Sequence, residues 1–211
     1  MKKLNAVFIT ILLFSFVTIN SFAGENKGVG DPSSTGEKSV KQGDFIIDAF
    51  YGYPYIWGAL LKSAYKSDSV AKQAGVTLHN YNHFGGRFEY LLTDKIGVGV
   101  EYTQGLAVVD YISNSKPYRG GIRKQRVLAK MNIHFATSAK VDPYFTVGAG
   151  YKMTNVYSNE PGTTPSVNIN LVPVAMRIGI GMRYFFTPHV GINAEIGLGG
   201  PLMQGGISIK I

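Results

Sequence analysis

Between Ile96 and Val108 bulky and small residues alternate: Ile96, Val98, Val100, Tyr102, Leu106 and Val108 fall on one side of the alternation, and Gly97, Gly99, Glu101, Thr103 and Gly105 on the other. Side chains of a strand point to opposite faces in turn, so this segment is a strand with one greasy face and one small, polar face. The same two-residue period recurs from residue 44 to residue 211, in runs broken by turn residues. Such repetition implies a closed barrel whose apolar wall meets lipid.

Eight runs are legible, at about 44–53, 78–92, 96–109, 122–135, 143–155, 171–186, 190–199 and 202–211. The fold expected is therefore all-β: an eight-stranded antiparallel up-and-down transmembrane β-barrel, eight being the smallest common membrane barrel. The connections alternate in length. Thr93-Asp94-Lys95, residues 136–142 and Thr187-Pro188-His189 are tight, whereas residues 54–77, 110–121 and 156–170 are longer; the last connection, at Gly200-Pro201, is short. Outer-membrane barrels keep short turns on the periplasmic side, so both ends of the barrel are expected there.

The phase of each strand assigns its faces. Phe45, Ile47 and Tyr51, Phe84 and Phe88, Val127, Ala129 and Met131, Val147 and Tyr151, Met176, Ile178 and Ile180, Ile192 and Ile196, and Ile207 and Ile209 are expected toward lipid. Aromatic residues near the strand ends, including Phe45, Tyr90, Phe135, Phe145, Tyr184 and Phe186, suit the headgroup layers. The opposite face carries Asp48, Arg87, Glu89, Glu101, Arg126, Lys130, Lys152, Arg177, Arg183 and Glu195 among glycines. On the first four strands Asp48, Arg87, Glu101 and Lys130 stand at similar heights with alternating sign. Opposite charges on neighbouring strands pair, and an eight-stranded interior is only wide enough for side chains, so these ten residues are expected to plug the lumen with ion pairs.

Upstream, Lys2 and Lys3, the apolar run 6–16 and Ser21-Phe22-Ala23 have the parts of a secretory signal peptide, expected over residues 1–23. Residues 24–43 are rich in Gly, Ser, Lys and Glu, and are expected to be a flexible leader, with the barrel domain over 44–211. The formal charge is +8, of which Lys2 and Lys3 would leave with the signal, but the basic residues are spread along strands and form no stripe for nucleic acid.

Chemistry-bearing constellations are not legible. There is no cysteine, so no disulfide and no thiolate metal site. His79 and His83 are expected on one strand face about 13 Å apart, too far for one metal ion, and His134 is expected in the lumen beside Asn132 with no serine near it. No phosphate-binding loop appears, the glycines following the strand period instead. No enzyme activity, cofactor or metal is expected. The segment Tyr53-Pro54-Tyr55-Ile56-Trp57 is too apolar for an ordinary loop; Tyr53, Tyr55 and Trp57 are candidates for an external contact surface, on a short helix over the mouth or on strands extended above the membrane.

Three stretches then carry a resemblance: Phe84 to Tyr102 across the Thr93-Asp94-Lys95 turn, Asp142-Pro143-Tyr144-Phe145 to Tyr151, and Arg183-Tyr184-Phe185-Phe186-Thr187 to Gly197. In this order they resemble the OmpA/OmpX-like outer-membrane β-barrel family. The resemblance implies a barrel in the outer membrane of a Gram-negative bacterium with a polar, ion-paired interior. With Ile211 inside the last expected strand, a barrel alone is expected, without the cell-wall-binding domain of full-length OmpA proteins. The role expected is structural or surface-interacting and non-enzymatic, as a monomer, with outer-membrane lipid, the barrel assembly machinery and an extracellular ligand as partners. The alternatives are a narrow channel or small-ligand transporter, and a soluble lipocalin-like binder, whose bulky face would point inward around its ligand.

Overall fold

In the computed structural model, the residues described are 38–67, 76–113, 115–135, 138–161, 166–169 and 172–211. Among them β1 (Phe45–Tyr53), β2 (Thr77–Thr93), β3 (Ile96–Ser113), β4 (Lys116–His134), β5 (Val141–Ser158), β7 (Val174–Phe185), β8 (Val190–Leu198) and β9 (Met203–Lys210) form one antiparallel sheet. A three-residue β6 (Ser166–Asn168) adds to the outer end of β5. β1 pairs with β2 and β9, and β4 pairs with β5, so the sheet closes on itself. Closure leaves no strand edge unpaired around the ring, which is what lets a sheet lie in lipid where no water can satisfy backbone groups.

Burial follows the sequence phase. β1 and β8 alternate strictly between exposed and buried, and on β7 Met176 is 69% exposed while the next residue, Arg177, is 3% exposed. Bulky residues therefore point out and charged residues in, the reverse of a lipocalin. Phe45 stacks on Tyr90 at 4.6 Å and on Phe88 at 5.5 Å, and Tyr184 lies 6.2 Å from Phe186, so rings do gather at the end of the tight turns. Ala129 faces outward opposite Ala149, whereas Lys130 is 5% exposed in the lumen. Ala129→Arg is accordingly expected to cost about 2–4 kcal/mol near the midplane, and Lys130→Arg much less. Urea unfolding of the two variants in lipid vesicles checks this; equal costs would refute the face assignment.

Three expectations need correction. Residues 110–121 are not a loop: β3 and β4 continue as a hairpin, paired through Ser113↔Lys116, with Ser115 in the left-handed region at φ 59°. The alternation weakens there because Asp110, Tyr111, Tyr118 and Arg119 stand above any two-sided apolar constraint. Likewise 156–170 is partly strand, through the end of β5 and β6. Of the two alternatives for the apolar segment after β1 the helix is the one found, α1 over Ile56–Ser67. Third, residues 38–43 of the expected leader are not free. Val40 is buried against Ile46, Leu91 and Phe185, the Ser39 amide donates to the Ser138 carbonyl at 2.8 Å, and Lys210 Nζ donates to the Ser39 carbonyl at 2.6 Å. The hydrogen bond from Lys38 and that from the Gln42 amide hold the Asp94 carboxyl below its ordinary range. One valine suffices to anchor this stretch because inward-facing Ile46, Leu91 and Phe185 offer an apolar floor. The expected signal peptide and residues 24–37 lie outside the described residues.

Candidate functional site

The strand register brings Asp48, Arg87 and Glu101 abreast on β1, β2 and β3. Arg87 Nη1 donates to Glu195 Oε2 at 2.6 Å, and its Nε lies 3.2 Å from Asp48. Lys130 Nζ bridges two carboxylates, donating to Glu101 at 3.0 Å and to Glu195 at 3.2 Å. Arg126 Nη2 reaches Glu101 at 3.0 Å and Arg177 Nε reaches Glu195 at 2.6 Å. Glu101 sits opposite Leu128, so its partners on β4 are the diagonal neighbours Arg126 and Lys130. Diagonal reach is available to long side chains, and the glycines beside them leave the space.

A second cluster lies nearer the tight turns. Arg183 Nη2 donates to Asp48 at 2.9 Å and to Glu89 at 2.6 Å, and its Nη1 donates to Asp142 at 3.2 Å. His134 faces Asp142 through Nδ1 at 2.8 Å and Glu89 through Nε2 at 2.9 Å. Each ring nitrogen meets a carboxylate oxygen, which leaves no imidazole lone pair for a metal ion or a substrate proton. The Tyr144 ring lies under Arg183 at 4.6 Å, and its hydroxyl accepts from Arg87 at 2.9 Å and donates to Glu195 at 3.2 Å. Tyr144 thereby couples the two clusters, and Gly181 on β7 is the place for its ring, since a Cβ there would collide with it.

Of the ten residues expected in the lumen, nine take part in these contacts. Lys152 lies higher, directly opposite Arg126 on β5. His134, Asp142 and Tyr144 are network members that the sequence reading did not place in it. Asp142 and Tyr144 do share the inward phase of β5, a signal masked by starting that strand at 143. The expectation that His79 and His83 share a strand face fails: an extra residue on β2 between Asn80 and His83, with Asn82 at φ 54°, shifts the phase. His79 ends up outside, 3.8 Å from Asp110, and His83 inside, 7% exposed. Tyr53 is exposed as expected, but Tyr55 is not an external contact. It is 1% exposed and turned down into the mouth, edge-on to His83 at 5.0 Å. Trp57 lies on α1, and its side chain is outside the described residues.

Residues 9–200 match the outer membrane protein beta-barrel domain family. The chain belongs to that family. Its place is the outer membrane of a Gram-negative bacterium, with the greasy wall against lipid. No curated relative matches the chain. Among solved structures it is similar to the N-terminal β-barrel domain of Pseudomonas aeruginosa OprF, at 17% identity over 82% of this chain and 100% of that one, TM-score 0.41. It is also similar to Pseudomonas aeruginosa OprG, at 16% identity over 83% and 98%, TM-score 0.48, and to Yersinia pestis Ail, at 14% identity over 81% and 99%, TM-score 0.43.

Proposed function

We propose that this outer-membrane barrel is a non-enzymatic structural or surface-interaction protein, monomeric, with a lumen closed by ion pairs and its outer segments as the contact surface. The observation that carries this reading is the charge network from Asp142 to Arg126, which fills the interior at two heights with every acidic member paired. A buried charge is tolerated only when paired and hydrogen-bonded, and breaking a pair costs several kcal/mol, roughly 3–5. Such a network resists the separation that passage of an ion requires.

Above the membrane wall, the β3–β4 hairpin offers Ile112, Tyr111 and Tyr118, the two tyrosine rings 6.0 Å apart, beside the Arg119–Asp110 pair at 2.6 Å. The Arg119 hydrogen bond holds the Asp110 carboxyl below its ordinary range. A projecting hairpin with aromatic and charged groups suits contact with an extracellular ligand, while lipid and the assembly machinery are the partners of any such barrel.

In planar bilayers the purified protein is expected to show no steady conductance, and the same preparation to shift its gel mobility on heating, as folded barrels do. Steady conductance of the folded protein would overturn the closed-lumen reading in favour of a narrow channel.

A further inference from the structure

Arg123 stands on the outer wall of the barrel, exposed on β4 and in the same lipid-facing phase as Val127 and Ala129. Among the described residues it makes no ion pair; its guanidinium lies over the Tyr157 ring, 5.7 Å from the centroid. Gly121, opposite Tyr157, gives that ring its place, since a Cβ there would meet the Tyr157 hydroxyl at 2.8 Å. Stacking on a ring face fixes the guanidinium plane and uses none of its N–H donors. Asp110, on the neighbouring strand, is taken by Arg119 at 2.6 Å. Arg123 is eleven residues above His134 on β4. At about 3.3 Å per residue and a strand tilt of about 40°, that is about 28 Å, just above an apolar band of about 25 Å. Just below it Tyr102 donates to Gln104 at 3.0 Å and accepts from Gln125 at 2.8 Å, a polar belt that marks the edge of that band. The guanidinium is thus level with the outer headgroups. On the opposite rim the outward ends of β7, β8 and β9 are Val174, Met176, Leu198 and Met203, so the cation is on one side of the barrel only.

The closed register sets what lies beneath it. A ladder that starts at Phe45, the first residue of β1, climbs through Met131 and Ile178 to Leu198, the last of β8. The strands therefore lean so that the wall directly below Arg123 belongs to the strands before β4. Leu106 on β3 is the partner of Arg123, Gly86 on β2 is the partner of Tyr102, and Ala49 on β1 is the partner of Gly86. With about 4.8 Å between strands, a line dropped from Arg123 passes Gln104 and reaches Gly86 about 16 Å lower, with Ala49 next. There the membrane-facing wall holds a cleft of about 570 Å³, floored by Ala49, Gly86 and Gly205 and flanked by Tyr51, Phe84 and Tyr102. The packing of the barrel does not require glycine at 86: a Cβ there would touch only the Asp48 carbonyl, at 3.4 Å, whereas one at Gly206 would collide with the Ala49 carbonyl. What the missing side chain at Gly86 leaves is the cleft.

We propose that this face of the outer wall binds a phosphorylated acyl lipid of the outer leaflet, its phosphate on Arg123 and one acyl chain in the Gly86–Ala49 cleft. A guanidinium held flat on a ring presents its N–H fork to two phosphate oxygens at once. The drop of about 16 Å is about one leaflet of a hydrocarbon core about 30 Å thick, so a chain anchored at Arg123 ends in the cleft. This is a fixed site and not the general contact that any barrel makes with its bilayer. It lies wholly on the outside of the sheet and does not depend on whether the lumen is closed.

The test uses the full protein in phosphatidylcholine nanodiscs, with phosphatidic acid as the phosphorylated probe, lipid retained through purification as the readout, and heat-shifted gel mobility as the independent report of folding. Phosphatidic acid is expected to be retained in preference to phosphatidylcholine, and Arg123→Gln to weaken that retention about tenfold, the scale of one lost charge-assisted contact. Gly86→Leu, an outward change for which the wall has room, fills the cleft and is expected to weaken retention as well. Lys95→Gln, on an exposed tight turn at the other end of the barrel, is expected to leave it unchanged. If inorganic phosphate displaces the bound lipid and Gly86→Leu has no effect, Arg123 holds free phosphate and the lipid assignment is overturned. Indifference of the folded protein to Arg123→Gln, or an equal loss from Lys95→Gln, overturns the site itself.

Discussion

Arg183→Met is expected to destabilise the folded barrel by about 3–5 kcal/mol, the cost of leaving buried charges without their partner. Arg183 is wholly buried and its one guanidinium reaches Asp48, Glu89 and Asp142. Removing it leaves Asp48 with Arg87 and leaves Glu89 and Asp142 with His134 alone. Methionine fills much of the volume, so the loss measured is electrostatic more than steric. Arg183→Lys should recover only part of it, because an ammonium is a point donor and cannot span three carboxylates as a planar fork does. Urea titration in lipid vesicles, read by heat-dependent gel mobility, measures both. A loss below about 1 kcal/mol would place this arginine among ordinary exposed ion pairs and refute the network account. Lys38→Gln, which breaks the exposed pair with Asp94, serves as the contrasting change and should matter little.

Joint replacement of Arg87, Glu101 and Lys130 by alanine is expected to turn a silent barrel into a conducting one. These three occupy the mid-height of the lumen, where Arg87 and Lys130 both close on Glu195. The triple change leaves survivors with partners: Glu195 keeps Arg177, Asp48 keeps Arg183, and Arg126 keeps the Gly199 carbonyl and Thr103. Folding should therefore survive better than after Arg183→Met, while three long side chains leave a cross-section that side chains otherwise fill. Single substitutions should not conduct, since the remaining chains still span the gap. The measurement is single-channel current in planar bilayers, wild type against triple variant. A triple variant that folds, by gel mobility, yet stays silent would show that closure resides elsewhere, with the floor of Val40, Ile46, Leu91 and Phe185 as the next barrier.

The strand period of two was enough to fix which side of each strand meets lipid, because a side chain's face in an extended strand depends on its position in the chain and on nothing distant. Ala129 outside and Lys130 inside follow from that alone, as do the inward positions of Arg87, Glu101, Arg177 and Glu195. What lay beyond the sequence was anything set by contacts across the barrel. One inserted residue on β2 sent His79 and His83 to opposite faces, and bulges depend on local twist that the residue pattern does not announce. Partner choice was equally hidden: Glu101 takes the diagonal Arg126 and Lys130 because the closed register sets Leu128 opposite it. Tyr144 and His134 join the clusters because closure brings β4 and β5 against β7 and β2 across a lumen one side chain wide. Val40, in a polar stretch with no period, found its floor only once the barrel existed. Local alternation thus decided inside from outside, whereas the identity of each ion pair and the anchoring of residues 38–43 were decided by the way the sheet closes.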